Sequence, residues 1–161
     1  MVKFNRAFTL CIAVLAIICY SCSNTSKKDN PETVAPTANP SPYPSLSNEE
    51  LTKLYSISEK VDMIFYNLPM SINQDDASSA KNTVLYVSPA PAIISSTCKP
   101  LGRLSWLSQG VIVTEADIYS DTGCQYFLFM KNNQPVAANA MSESGVVFFN
   151  QIISQAQQQQ K

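Results

Sequence analysis

The distribution of proline places the strongest constraint on what this chain can fold into. Five of the ten prolines lie between Pro31 and Pro44, in the stretch NPETVAPTANPSPYP. Proline lacks a backbone N–H and disrupts helices and central strands, and the stretch carries little apolar mass to bury. We therefore predict a flexible tether over residues 22–46. The remaining residues, 47–161, are enough for one small domain with one modest core.

The N-terminal segment combines positive charge with a short apolar run. Lys3 and Arg6 precede AFTLCIAVLAIICY, a run of 14 almost entirely apolar residues. A membrane-spanning helix needs roughly 20 such residues, so this run is short for a permanent span. The small residue Ser21 follows, then Cys22 and a polar stretch. The pattern is typical of a signal peptide, here residues 1–21, that is cleaved before Cys22.

The segment IICYSC, ending at Cys22, resembles the lipobox of bacterial lipoproteins and in particular the loose lipoboxes of Bacteroidota lipoproteins. Cys19 stands where leucine is usual and Tyr20 is bulky, so a secretory peptide or an uncleaved anchor remain alternatives. The resemblance implies that Cys22 carries acyl chains, such as palmitate, which attach the protein to a membrane. Ser23, in place of aspartate, implies the outer membrane of a diderm bacterium, with the domain facing either the periplasm or the cell surface.

Composition excludes several classes of function. The chain contains no histidine, which excludes Ser-His-Asp and Cys-His catalysis and histidine-ligated zinc. It has 12 acidic and 11 basic residues, without the clusters of lysine and arginine that are typical of nucleic-acid binding. We therefore predict no cofactor, no metal site and no nucleic-acid partner, and we favour a binding or structural role over an enzymatic one.

Local signals predict an α+β domain. Ser47 and Glu50 form a capping-box pattern, and apolar residues then recur at spacings of three and four as far as Leu68, so we expect a helix that ends at Pro69. The polar segment 73–82 is either a loop or a short helix that starts at Asp75. Residues 83–87 are β-like, residues 110–119, 124–130 and 135–140 form a three-strand meander, and 142–156 form a C-terminal helix with a frayed glutamine-rich end. The prediction is an N-terminal helix, an antiparallel sheet of about four strands and a C-terminal helix.

Cys98 and Cys124 are the only cysteines in the predicted domain. Two cysteines in an exported domain are usually paired, so we predict a disulfide between them. Neither lies in a C-x-x-C motif, and this argues against a redox pair.

Candidate site residues are few. Trp106 lies in GRLSWLSQG and is either a core residue or the aromatic anchor of a binding cleft, with Arg103 as its polar partner. If the domain binds a ligand, we expect Arg103, Trp106 and Tyr126 to contact it. Glu115 and Asp117, two apart on a predicted strand, share one face and form either a wet surface or an acid–base pair. The leading hypothesis is a lipid-anchored envelope protein that binds a protein, glycan or small ligand. The alternatives are a carboxylate-based enzyme such as a glycan hydrolase, and an enzyme inhibitor that presents a disulfide-held loop at residues 95–103.

Overall fold

The computed structural model describes residues 39–159, with side chains from residue 41 to residue 158. The predicted signal peptide, Cys22 and most of the predicted tether lie outside the described residues, as do the last two residues of the glutamine-rich end.

The described residues form three helices and nine strands, and the prediction of an α+β fold is confirmed. In chain order the elements are β1 (Asn39–Pro40), α1 (Asn48–Ile57), β2 (Lys60–Phe65), β3 (Ser71–Gln74), α2 (Ala77–Val84), β4 (Val87–Pro91), β5 (Ile93–Ile94), β6 (Gly102–Ser108), β7 (Val111–Asp121), β8 (Cys124–Lys131), β9 (Gln134–Met141) and α3 (Glu143–Gln159). Seven strands form one antiparallel sheet in the order β3-β2-β6-β7-β8-β9-β4, and β1 pairs with β5 in a separate ribbon. The predicted sheet of about four strands was therefore too small.

The predicted N-terminal helix is right at its start and wrong at its end. The Ser47 side chain accepts the backbone N–H of Glu50, and the Glu50 carboxylate accepts the backbone N–H of Ser47, which completes the capping box. The helix ends at Ile57, and β2 begins at Lys60. Apolar residues in β2 alternate as Val61, Met63 and Phe65, and the partner strands β3 and β6 favour that period of two over the helical spacing.

Strand β6 is an element that the sequence prediction did not include. Gly102, Leu104 and Trp106 point to one face of the sheet, while Arg103 and Ser105 point to the other. Gly102 must lack a side chain, because a Cβ there would lie 2.3 Å from the carbonyl oxygen of Ile64 on β2.

Helix α2 replaces the start of the strand predicted over residues 83–87. Asp76 caps this helix by accepting the backbone N–H of Ser79 at 2.8 Å, and the helix extends through Val84. Only Val87 of the predicted strand belongs to β4. The three strands of the predicted meander are confirmed as β7, β8 and β9, and positive φ angles at Gly123, Asn132 and Asn133 form their turns.

All three helices cover the same face of the sheet, which we call the inner face. Their apolar residues join those of the strands in one buried cluster that includes Leu51 and Leu54 from α1, Val84 from α2, and Phe149 and Ile152 from α3. The opposite face, the outer face, is covered only in part. A second, smaller cluster there contains the buried residues Ala92, Tyr126 and Ala138.

The last residues of the predicted tether, 39–46, are part of the domain. Strand β1 pairs with β5, the carbonyl of Pro44 accepts the backbone N–H of Ala138 at 2.8 Å, and Leu46 packs against the main core. Tyr43 packs against the smaller cluster on the outer face. The prolines of this segment are compatible with a short edge ribbon, in which a strand needs few N–H donors.

The Cys98–Cys124 disulfide is present, with a Cα–Cα distance of 5.7 Å and a sequence separation of 26 residues. It ties the irregular segment that precedes β6 to the first residue of β8, next to the smaller cluster. Closing a loop of this length stabilises a fold by roughly 3–4 kcal/mol on the chain-entropy model.

Removing the hydroxyl of Thr83 tests the inner-face core. The Trp106 indole N–H donates to the Thr83 hydroxyl at 2.8 Å, and both residues are fully buried. Thr83→Val keeps the shape but leaves that donor without a partner, so we expect the free energy of unfolding to fall by about 1–3 kcal/mol in urea titrations. Thr83→Ser, which retains the hydroxyl, should lose about 1 kcal/mol or less. Equal stability of wild type and Thr83→Val would show that this hydrogen bond does not stabilise the core.

Candidate functional site

Two rows of polar and apolar side chains cross the uncovered part of the outer face. Strand register places Asp62, Ser105 and Glu115 side by side in one row, on β2, β6 and β7. The adjacent row places Ile64 beside Arg103 and Arg103 beside Asp117 on the same three strands. We call this area, together with Tyr66 and Asn73 at its margin, the polar half of the outer face.

An ion pair occupies the centre of the polar half. Arg103 Nε donates to Asp117 Oδ1 at 2.8 Å, and the Tyr66 hydroxyl donates to the same oxygen at 3.1 Å. The Asp117 side chain is only 13% exposed and that of Arg103 26% exposed, although both lie on the solvent side of the sheet. The pair is therefore held in one geometry and is partly shielded from water, in contrast to a freely solvated surface pair.

Electrostatics favour a neutral Tyr66 and a charged Arg103 in this cluster. Partial burial raises the pKa of Tyr66, and the negative charge of Asp117 raises it further. The hydrogen bond from Arg103 to Asp117 raises the pKa of the guanidinium, so Arg103 remains charged. Near neutral pH the cluster therefore consists of a neutral phenol and a guanidinium, both bonded to the Asp117 oxygen.

Further contacts surround the central pair. The Ser105 hydroxyl donates to Glu115 Oε1 at 3.3 Å, and the Asn73 amide donates to the Asp62 carboxylate. Arg103 Nη1 reaches Asn133 Oδ1, in the turn between β8 and β9, at 3.5 Å. These contacts fix the direction of side chains that would otherwise be free in solvent.

Glu115 and Asp117 share this face, as their spacing predicts, but they lie on an open sheet surface. None of five surface concavities formed by the described residues has either carboxylate in its lining. Asp117 Oδ1 already accepts two hydrogen bonds, from Arg103 and Tyr66. Glycoside hydrolysis places two carboxyl groups on either side of a bound sugar, an arrangement that requires a cleft.

The structure separates the three predicted ligand-binding residues. Trp106 is fully buried on the inner face, where it stacks near Phe129, so it is a core residue and its alternative interpretation as an exposed anchor has no support here. Tyr126 lies on the outer face but is 2% exposed, and burial strongly raises the pKa of its phenol. Tyr126 stacks on Tyr119 beside the disulfide. Of the three predicted ligand-binding residues, only Arg103 belongs to the polar half.

Sequence reasoning missed Tyr66, because the expected helix extended through Leu68 and concealed the end of β2. The alternation Val61, Met63, Phe65 is compatible with a strand that places Tyr66 on the outer side, but the same residues with Ile64 also fit the helical spacing. The loop predicted at residues 95–103 is also shorter than expected, since Gly102 and Arg103 belong to β6.

Within residues 39–159, no group of three or more Cys, Asp or Glu side chains is placed to hold a metal ion. None of the described helices is long and apolar enough to cross a membrane. The chain matches no protein-family model, no curated protein and no solved structure. Function must therefore be inferred from the residues themselves.

Replacing Asp117 tests the electrostatics of the cluster. Since the negative charge of Asp117 raises the pKa of Tyr66, Asp117→Asn should lower that pKa in an ultraviolet titration referenced to each protein's Tyr66→Phe counterpart. Burial, the larger cause, should persist in the variant. The raised pKa of Tyr66 favours the neutral phenol in the folded state. The contribution of this shift to the stability of the fold is therefore present below about pH 10 and is lost as pH rises through the folded pKa.

Asp121→Asn is the matched control for this titration, because Asp121 is an exposed carboxylate at the end of the same strand. It should leave the pKa of Tyr66 unchanged. An Asp117→Asn protein with the wild-type tyrosine titration would contradict the proposed coupling.

Proposed function

We propose that this protein is a lipid-anchored, non-enzymatic binding protein of the bacterial cell envelope. In this proposal Cys22 carries the lipid, the proline-rich segment spaces the domain from the membrane, and the polar half of the outer face binds an envelope protein or glycan. The observation that carries the binding role is the preorganised Arg103–Asp117–Tyr66 cluster on a sheet face that the helices leave uncovered.

Export is supported by two independent features. The N-terminal charge, apolar run and IICYSC segment resemble a lipoprotein signal, as described above. The Cys98–Cys124 disulfide suits an oxidising compartment outside the cytoplasm, where such bonds form and persist. Stable membrane attachment requires more than one acyl chain, and the acylated cysteine of a bacterial lipoprotein would supply them.

The chemistry of the polar half suits a ligand that offers both donors and acceptors. A guanidinium has five N–H donors, and within the described residues Arg103 uses Nε on Asp117 and only a long contact from Nη1 to Asn133. The other donors can meet carbonyl or hydroxyl oxygens of a ligand. Glu115 and Asp62 add acceptors in the neighbouring row, for ligand hydroxyl or amide groups.

A fixed guanidinium also reduces the entropic cost of binding. Arg103 is held by Asp117 before any ligand arrives, and the Tyr66 hydroxyl donates to the same Asp117 oxygen. A preorganised group loses less conformational freedom on association than a free surface arginine, so more of the contact energy contributes to affinity. Catalysis by Glu115 and Asp117 is less well supported, because the same contacts engage Asp117 and the face is open.

Substitution of single cysteines tests the anchor. In bacterial cells fed labelled palmitate, the wild-type protein and a Cys19→Ser variant should both carry label and partition with membranes. Cys22→Ser should carry no label, because it lacks the acylated thiol. Cys19 is the matched control, since it lies in the same segment but follows the bulky Ile18. Label on Cys22→Ser, or its loss from Cys19→Ser, would contradict acylation at Cys22.

Substitution of Arg103 tests the binding face. The immobilised full chain should retain a component from separated protein and glycan fractions of the envelope, and Arg103→Gln should weaken its retention about 10- to 100-fold through loss of charge-assisted hydrogen bonds. Lys131→Gln, an equal change of charge at an exposed residue at the end of β8, should have no effect. No retained component, or equal retention by wild type and Arg103→Gln, would contradict binding through this face.

A further inference from the structure

A second feature, on the opposite side of the sheet, is an apolar groove between α1, α2 and β4. Its volume is about 310 Å³, and the polar half of the outer face contributes nothing to it. The lining comprises Asn48, Leu51, Thr52 and Tyr55 from α1, Val84 and Leu85 from the end of α2, and Val87 and Pro89 from β4.

The groove has a buried apolar floor and an exposed apolar rim. Leu51, Val84 and Val87 of the floor belong to the main core. On the rim, Leu85 is 56% exposed and Tyr55 39% exposed, so both present apolar surface to solvent beside the buried floor. The Thr52 hydroxyl is already used, because it donates to the carbonyl of Asn48 at 2.7 Å. The lining therefore offers mostly apolar contact.

The size of the groove favours a small molecule over a protein. Stable protein interfaces use roughly 20–30 residues on each side, whereas eight residues line this groove. Its volume instead lies at the lower end of the roughly 300–1,000 Å³ that is usual for small-ligand pockets. A single extended hydrocarbon chain is a better match.

Charge near the rim indicates which charge the polar end of a bound hydrocarbon chain would carry. The Lys81 ammonium lies 6.0 Å from the centre of the Tyr55 ring, beside the groove. No acidic side chain belongs to the lining, and the nearby Glu50 is turned towards Ser47 in the capping box. We propose that this groove binds the acyl chain of a single-chain anionic amphiphile, such as a fatty acid, with its carboxylate beside Lys81.

Titration with saturated fatty acids of increasing length tests the proposal. The probe is the free acid below its micelle concentration, and the protein is the full chain with Cys22→Ser, so that no attached lipid competes. One molecule should bind per chain, and each added methylene should tighten binding roughly fourfold until the groove is full. Lys81→Gln should weaken binding of the acid several-fold and leave binding of the corresponding alcohol unchanged.

Leu85→Glu places a charge on the rim and should weaken binding at least tenfold. The substitution leaves a solvent-exposed position exposed, so the circular dichroism spectrum and unfolding midpoint should be retained. Val136→Glu is the matched control, an exposed apolar residue on β9 outside the groove, and it should bind as wild type does. Absence of saturable binding, or wild-type affinity in Leu85→Glu, would overturn the proposal. Concentration-dependent dimerisation that Leu85→Glu abolishes would also overturn it, since the occupant would then be a second copy.

Discussion

The alternation of side chains along β6 and β7 is the constraint on which the rest of the structure depends. On β6, Leu104 and Trp106 enter the core beneath the helices, while Arg103 and Ser105 stand on the opposite face. A slip of one residue in the pairing of these strands would exchange the two sets and bury Arg103. The register with β2 and β7 therefore fixes both the aromatic core and the composition of the polar half. The same strands therefore place the core residues on the inner face and the polar residues on the outer face.

Local signals in the sequence were enough to predict the elements whose limits are set locally. The Ser47–Glu50 capping box and the Gly and Asn turns of the meander have direct chemical causes within a few residues. Strand β2 could not be predicted in this way, because its apolar residues satisfy helical and extended spacing at once. Pairing with β3 and β6 decides between the two, and such pairing between distant segments leaves little trace in the local sequence.

In the candidate site, too, single residues could be chosen from the sequence but contacts between distant strands could not. Arg103 could be chosen from sequence as a polar residue among apolar ones, but its partners are Asp117, 14 residues away, and Tyr66, whose hydroxyl reaches Asp117 across 51 residues. Their proximity follows from the order β2-β6-β7, which the prediction lacked. Tryptophan is a residue type that is common at binding anchors, but the Trp106 indole N–H donates to the Thr83 hydroxyl inside the core. Residue type alone does not distinguish these two uses of tryptophan.

The disulfide links the fold to the proposed location, since Cys98 and Cys124 meet in the structure and such bonds persist outside the cytoplasm. The most direct test is the intact mass of the protein purified from the membranes of its native cells, before and after reduction. We predict a chain that begins at an acylated Cys22 and gains two hydrogen atoms on reduction of Cys98–Cys124. A chain that begins at Met1, carries no fatty acid and does not change mass on reduction would contradict the account.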